Sequence, residues 1–539
     1  MQDIENNNFA SLLLQQCRNR PGLAALIIPQ LHKDGSLLSE ETITFGDFEQ
    51  RVCQFQRGLQ AEGFRPGDRF VLMFPVSVDL YALIVALFAA AMVVVLVDPG
   101  MGKKQILRAI SGTGAKALVT VRAVARLRWL LPSLWHIKMY VITSNRGSRL
   151  LGKLQRQSAE LAAARPVIVL RGADDHALIT FTSGTTGKPK GADRTHGFLR
   201  AQHESLAAMF PHVASDVDCT CFPAMVLHGL CCGITTVIPA VDLRAPASVN
   251  PAQVISQLKR HGVTRFSGAP AFMSALAEYI NRQALHLPGV QQLAIGGAPV
   301  ADAVCQNLVS AFPSARAYVV YGSTEAEPMT RVTLQEVLSD GDPSGGYLVG
   351  RTSDTTVIKI VRLPVPPPVL DERGIEPFTV ASGETGEIVV CGPQVNRSYV
   401  SNPEENRKNK VIEIGGQVWH RTGDVGRLDA RNRLCLLGRV NDVLDLSGSP
   451  VYPFPVERSV DALSGIRRSA LVQAGPGKPA FLVLELEKNM TLQALESGVK
   501  SCLAHHRLAG VQIQLMVKLP VDRRHNSKID RIALRKSLA

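Results

Sequence analysis

No two of the ten cysteines stand in C-x-x-C spacing. That absence argues against a zinc site and leaves the thiols as reduced, buried side chains. Aromatic residues are few, at 5% of the chain, and no basic stripe carries interleaved aromatics. Nucleic acid is therefore not an expected partner, despite a net charge of +13. The same scarcity suits an aliphatic pocket better than an aryl one. No basic, apolar leader is expected either, since Met1–Asn8 is polar and acidic. There is no internal repeat. Charged residues reach only 19% against 46% apolar, which excludes extensive disorder.

What is present fits a cytoplasmic enzyme with two or more domains, since 539 residues exceed one simple core. Helical segments are expected in the first 70 residues, with a helix capped near Thr44 or Asp47. One run, Leu80–Val97, holds eighteen uncharged residues and meets the length of a membrane span. Its first half is rich in Ala and Leu, whereas Val93–Val97 is β-branched and ends at Asp98-Pro99-Gly100. Helix, tight turn and buried strand explain that switch better than one continuous helix, so no transmembrane segment is expected. Arg126–Leu131 is basic and aromatic, a half-buried helix or a peripheral contact with a membrane surface. Gly152–Arg165 reads as a polar helix. Beyond it, apolar runs alternate with helical stretches up to Leu293–Gly297, the pattern of a parallel α/β fold. From Gly350 the texture turns to strands, with a proline-rich connection at Pro364–Pro368. Nearly half of the excess positive charge lies beyond Gly438. It forms a solvated basic surface or meets an anion: a phosphorylated cofactor, an acidic carrier protein or a lipid surface.

The chemistry begins at Thr180–Gly191, TFTSGTTGKPKG, directly after the apolar run Ala177-Leu178-Ile179. Gly184, Gly187 and Gly191 let backbone N–H groups approach an anion. Thr182, Ser183, Thr185 and Thr186 add hydroxyls, and Lys188 and Lys190 add charge, a set suited to polyphosphate. It is no Walker A loop, because G-x-x-x-x-G-K-[ST] cannot be read across it. Further along stand Gly296-Gly297-Ala298-Pro299 after a strand, Tyr321-Gly322-Ser323-Thr324-Glu325, Thr422-Gly423-Asp424, Arg439, and Asp522–Arg531 with Lys528. Together these strings closely resemble the motifs of the adenylate-forming superfamily of acyl-CoA synthetases, peptide-synthetase adenylation domains and luciferases. The resemblance spans nearly the whole chain.

The resemblance implies an α/β fold: a large multi-subdomain N-terminal domain, residues 1–437, with parallel-type sheets. A small mobile α+β cap, residues 438–539, would turn about a hinge near Asn441. It implies ATP and Mg²⁺ as cofactors, with the loop from Thr182 to Lys190 on the phosphates. Gly297 and Ala298 would border the adenine and Tyr321 would stack on it, beside Gly322. Thr324 would contact phosphate and Glu325 would hold Mg²⁺. Asp424 would take the ribose hydroxyls, Arg439 ribose or phosphate, and Lys528 would be the catalytic lysine brought by the cap. His228, two residues beyond the usual P-x-x-H distance from Pro223, is either an acyl-pocket residue or a core histidine.

The expected reaction is ATP-dependent activation of a fatty carboxylic acid as acyl-AMP with loss of pyrophosphate. The second acceptor stays open. Asp445–Glu457 keeps Gly448, expected near a pantetheine tunnel, but replaces the usual basic-aromatic remainder with prolines and an aromatic pair. CoA, an acyl carrier protein or an internal hydroxyl could each follow. Val237–Asp242, Trp419-His420-Arg421, Val451-Tyr452-Pro453 and Asp522–Lys528 are similar to the branch of olefin-pathway β-lactone synthetases, which would act beside partner enzymes of a lipid pathway. A reading from another class, a nucleotide-binding regulatory protein without turnover, is opposed by the intact motif residues.

Overall fold

The computed structural model describes residues 6–98, 100–126, 134–142, 165–182, 189–243, 245–363, 369–446, 448–475, 477–522 and 528–538. Residues 127–131, 152–164, 183–188 and 364–368 lie outside the described residues. They carry most of the basic-aromatic segment, the polar helix, the heart of the Gly/Thr loop and the proline-rich connection.

The first 70 residues hold the helical segments that the sequence predicts and, between them, a strand pair that it does not. After the helix Ala10–Asn19 comes an antiparallel pair, β1 (Ala24–Leu31) and β2 (Leu37–Thr44). The cause is a distant partner: Leu26 and Ile27 pair in parallel with Thr236 and Val237, which no local pattern announces. Thr44 then caps the helix Phe45–Ala61 by accepting the Asp47 N–H, as the sequence predicts. β3 (Arg69–Met73) leads into the helix Val78–Ala89, which is buried almost all round. A turn at Ala91, φ +59°, delivers β4 (Val93–Val97). The long apolar run is thus a core helix and a core strand. No helix among the described residues is long and apolar enough to cross a membrane.

β5 (Ala117–Val121), β6 (Lys138–Ile142), β7 (His176–Thr182) and β8 (Lys190–Thr195) complete a six-stranded sheet in the order β6-β5-β3-β4-β7-β8. All its neighbours run parallel except the β7–β8 pair. A second, larger sheet begins as the parallel alternation the sequence shows. β9 (Val217–Thr220), β10 (Thr235–Val237), β11 (Arg265–Gly268), β12 (Gln292–Gly296) and β13 (Arg316–Ser323) alternate with helices Pro223–Cys232, Pro251–Arg260, Pro270–Arg282 and Asp302–Ala311. Three of those helices open on proline, whose fixed φ suits a first turn.

The parallel pattern ends at β14 (Ala326–Thr333), earlier than the change of texture at Gly350. β15 (Tyr347–Thr352), β16 (Val357–Val361), β17 (Gly386–Cys391), β18 (Lys410–Ile412), β19 (Val418–Leu428) and β20 (Leu434–Arg439) continue it antiparallel. After Arg439 no described strand joins either sheet. β21 (Leu444–Leu446) and β22 (Ser449–Val451) form a hairpin, while β23 (Ile466–Gln473), β24 (Ala480–Leu486) and β25 (Gln512–Leu515) form their own sheet. That part has a separate core around Val460, Leu471, Leu482 and Val499. The architecture is α/β, with a small α+β unit at the C-terminal end.

Candidate active site

The motifs lie on the edge pair of the six-stranded sheet and on interior strands of the larger one. β7 and β8 pair antiparallel, and their register ends at Thr182↔Lys190, the described residues on either side of the Gly/Thr loop. Gly191 is needed where β8 crosses β7, since a Cβ there would stand 2.7 Å from the Phe181 ring. Lys190 points its ammonium at Glu405, 2.5 Å away, and lies 5.7 Å from the Tyr399 ring centre.

In the larger sheet, Gly296 of β12 pairs in register with Val320 of β13. Gly297, at φ +89°, turns the chain directly after that pair. The register of β13 and β14 slips between Tyr321 and Ser323, and Gly322 sits at the slip. The Tyr321 hydroxyl donates to Asp424 Oδ2 at 2.7 Å, and Arg439 Nη1 donates to Asp424 Oδ1 at 2.7 Å. Pairing of β19 with β20 brings Asp424 opposite Arg439. Burial, and then the Asp424 charge, push the Tyr321 phenol well above its ordinary range, so it remains a donor. Three motifs far apart in sequence therefore converge on one carboxylate.

Glu325 follows at the turn between β13 and β14, over a buried polar cluster. Tyr399 Oη donates to Glu325 Oε1 at 2.9 Å. Lys410, 2% exposed, lies 5.1 Å from the centre of the same ring, donates to the Asn396 carbonyl, and meets His420 Nδ1 at 3.3 Å. Burial alone would raise the Glu325 carboxyl. His420, Lys410 and the Tyr399 hydroxyl outweigh it and hold the group below its ordinary value, hence ionised. Burial brings Lys410 down to about 7 against the pull of Glu325, with Lys190 adding to the depression.

Residues 395–400 stitch this cluster to the first sheet. Asn396 N–H donates to the Glu325 carbonyl at 2.6 Å, and its amide donates to the Asp193 carbonyl. Val400 N–H donates to Gly191 O, and Arg194 Nη2 donates to the Thr324 carbonyl at 2.8 Å. Arg194, Asn396, Tyr399 and Lys410 are absent from the sequence reading. None lies in a glycine-rich or motif-like string, and only a lysine flanked by a strand's apolar residues, Val411 and Ile412, hinted at burial.

Ser183, Gly184, Thr185, Thr186 and Gly187 lie outside the described residues, and of Thr182 only its place at the end of β7 is given. Lys528 is exposed on the small unit, its N–H bonded to Asp522 Oδ1. His228 is 5% exposed in the helix Pro223–Cys232 and is bonded to His203 and Cys232.

The donor set fits Mg²⁺. Glu325 supplies one ionised carboxylate, and among the described residues no cage of three carboxylates forms. Magnesium held by one or two carboxylates together with substrate phosphates needs no more.

The model of the family described as AMP-binding enzyme matches residues 13–400. An olefin beta-lactone synthetase of Stenotrophomonas maltophilia is 31% identical over 97% of this chain and 96% of its own. A long-chain-fatty-acid–CoA ligase of Salmonella typhimurium is 25% identical over 89% and 88% of the two chains. Among solved structures, ATP-bound MatB from Rhodopseudomonas palustris superposes with a TM-score of 0.80 at 20% identity, covering 99% of both chains.

Proposed function

Because the chain belongs to the AMP-binding enzyme family, we propose that it activates a β-hydroxy fatty acid with ATP and closes it to a β-lactone. In the first step a carboxylate oxygen attacks the α-phosphorus, an acyl–O–P bond forms, and pyrophosphate leaves. In the second the substrate's own hydroxyl oxygen attacks the acyl carbon, its proton passes to solvent, and the bond from the acyl carbon to the phosphate oxygen breaks, releasing AMP. No external nucleophile is consumed. The observation that carries the first step is the convergence of Tyr321 and Arg439 on Asp424, with Glu325 on the turn that follows Tyr321. Asp424 would orient the ribose through its two carboxylate oxygens, and Tyr321 and Ala298 would bound the adenine. Gly297, Gly322 and Thr324 shape that side of the cleft, while the turn from Thr182 to Lys190 would receive the phosphates. Mg²⁺ held at Glu325 would neutralise charge on the departing pyrophosphate. Lys528, delivered by rotation of residues 438–539, would do the same at the α-phosphoryl group.

The lactone reading is supported by relatives of that name at 30–31% identity across nearly the whole chain. Transfer to CoA is the second reading, supported by the CoA ligases among the relatives. Mass spectrometry of products from a β-hydroxy fatty acid and ATP, with and without CoA, separates them. A lactone formed without CoA is expected; a thioester as sole product overturns the lactone assignment. Pyrophosphate exchange with a panel of aliphatic acids tests the first step. Lys528→Ala should slow that exchange on the order of 10²–10³-fold, as removal of one transition-state donor does. An unchanged rate removes Lys528 from the mechanism.

A further inference from the structure

Outside the nucleotide site, three metal-ligating side chains meet in the core. The helix His196–Met209 carries His203, and the helix Pro223–Cys232 carries His228 and Cys232 four residues apart, on one face. His203 Nδ1 lies 3.0 Å from His228 Nδ1, and Cys232 Sγ lies 3.4 Å from His228 Nε2. One donor atom from each falls within 4.8 Å of the other two. His228 and Cys232 are 5% and 6% exposed, while the half-buried His203 gives the approach from outside.

We propose that His203, His228 and Cys232 form a zinc site that clamps these two helices together. Two imidazoles and a thiolate are the borderline-soft set that Zn²⁺ takes, and the absence of a carboxylate disfavours Mg²⁺ and Ca²⁺. Two ligands at i and i+4 with a third from a neighbouring element is the spacing by which helices hold zinc. A neutral imidazole carries a lone pair on one ring nitrogen, which each of the two rings can turn to a metal. Without metal, one tautomer satisfies the cluster: Cys232 S–H donates to His228 Nε2, and His228 Nδ1–H donates to His203 Nδ1. Zinc binding forms two Zn–N bonds and one Zn–S bond, with water in the fourth position. The thiol proton passes to solvent, and each imidazole keeps its proton on the nitrogen that does not face the ion.

The test is titration of the metal-free, full-length chain with Co²⁺, whose thiolate charge-transfer band reports sulfur ligation. One equivalent is expected, with a near-ultraviolet band that Zn²⁺ abolishes on displacing the cobalt. Cys232→Ser, nearly the same shape, should lose that band, and His203→Gln should weaken binding at least about tenfold. No cobalt bound by the parent chain, or the band kept in Cys232→Ser, overturns the proposal. Should either variant fail to fold by circular dichroism, X-ray absorption of the zinc-loaded parent decides. Two nitrogens and one sulfur support the site, and a sulfur-free shell overturns it.

Discussion

A carboxylate that already accepts hydrogen bonds on both oxygens is oriented before a ligand arrives. Asp424 is held that way by Tyr321 and Arg439. Asp424→Asn keeps the shape but leaves one accepting atom and no charge. Hydrogen bonds to ionised groups are worth about 1.5–3 kcal/mol, so ATP affinity should fall roughly 10–100-fold, read as the dissociation constant of ATP. Lys410 acts from below. Lys410→Met leaves the Asn396 carbonyl without its buried donor, at a cost of about 1–3 kcal/mol in unfolding free energy. It also removes a positive neighbour that holds the Glu325 carboxyl down. Glu325 then titrates at higher pH, and because its ionised form is the working one, activity is lost earlier on acidification. The acid limb of the pyrophosphate-exchange profile should move to higher pH; an unmoved limb would detach Lys410 from Glu325. The residues that gather around Asp424 and Glu325 were legible as motifs because each sits in a short string of unusual residues. Lys410 was not, since a lysine becomes a buried counter-charge only when a distant strand closes over it.

Among the elements, the β7–β8 pair and the stretch 395–400 join the two sheets at the candidate site. Gly191 lies where β8 passes the Phe181 ring and where Val400 bonds to the hairpin. Gly191→Ala would thrust a methyl to 2.7 Å from that ring. The strand must shift, at roughly 1–3 kcal/mol, and should carry Lys190 away from its place at the cleft. Enlarging the space with Phe181→Leu in the same chain should recover part of the loss, a coupling that a double-mutant cycle on thermal unfolding would read. Strict additivity of the two changes would show that the ring is not what forbids a side chain there. The helix–turn–strand division of Leu80–Val97 was readable, since Ala/Leu and β-branched runs prefer different backbones. The β1–β2 pair was not, because β1 is held by β10, which is remote in sequence.

At the scale of the whole molecule, the small C-terminal unit is fastened to the large one through a buried arginine. Arg458, 2% exposed on the helix Pro453–Asp461, sends Nε and Nη2 to the Asp302 carboxylate and Nη1 to the Asp342 and Gly346 carbonyls. The Phe454 ring packs edge-on against Tyr347 beside it. Asp442, in the turn Val440–Asp442, is tied to Arg531 and Arg535 of the terminal helix, so that turn moves with the small unit. If residues 438–539 rotate between two half-reactions, the Arg458–Asp302 pair must break in one of the two arrangements. Asp302→Asn weakens the pair without emptying the site, and a bias of about 1.4 kcal/mol between arrangements is a tenfold change in their ratio. The rates of pyrophosphate exchange and of product release from preformed acyl-adenylate should then move in opposite directions. A substitution that merely loosens the fold would lower both. Limited proteolysis near residue 440 should quicken in the variant and slow again when ATP is added, because a ligand bridging both units closes them. Equal loss in both half-reactions, with proteolysis unaffected by ATP, would mean that the two units act as one fixed body.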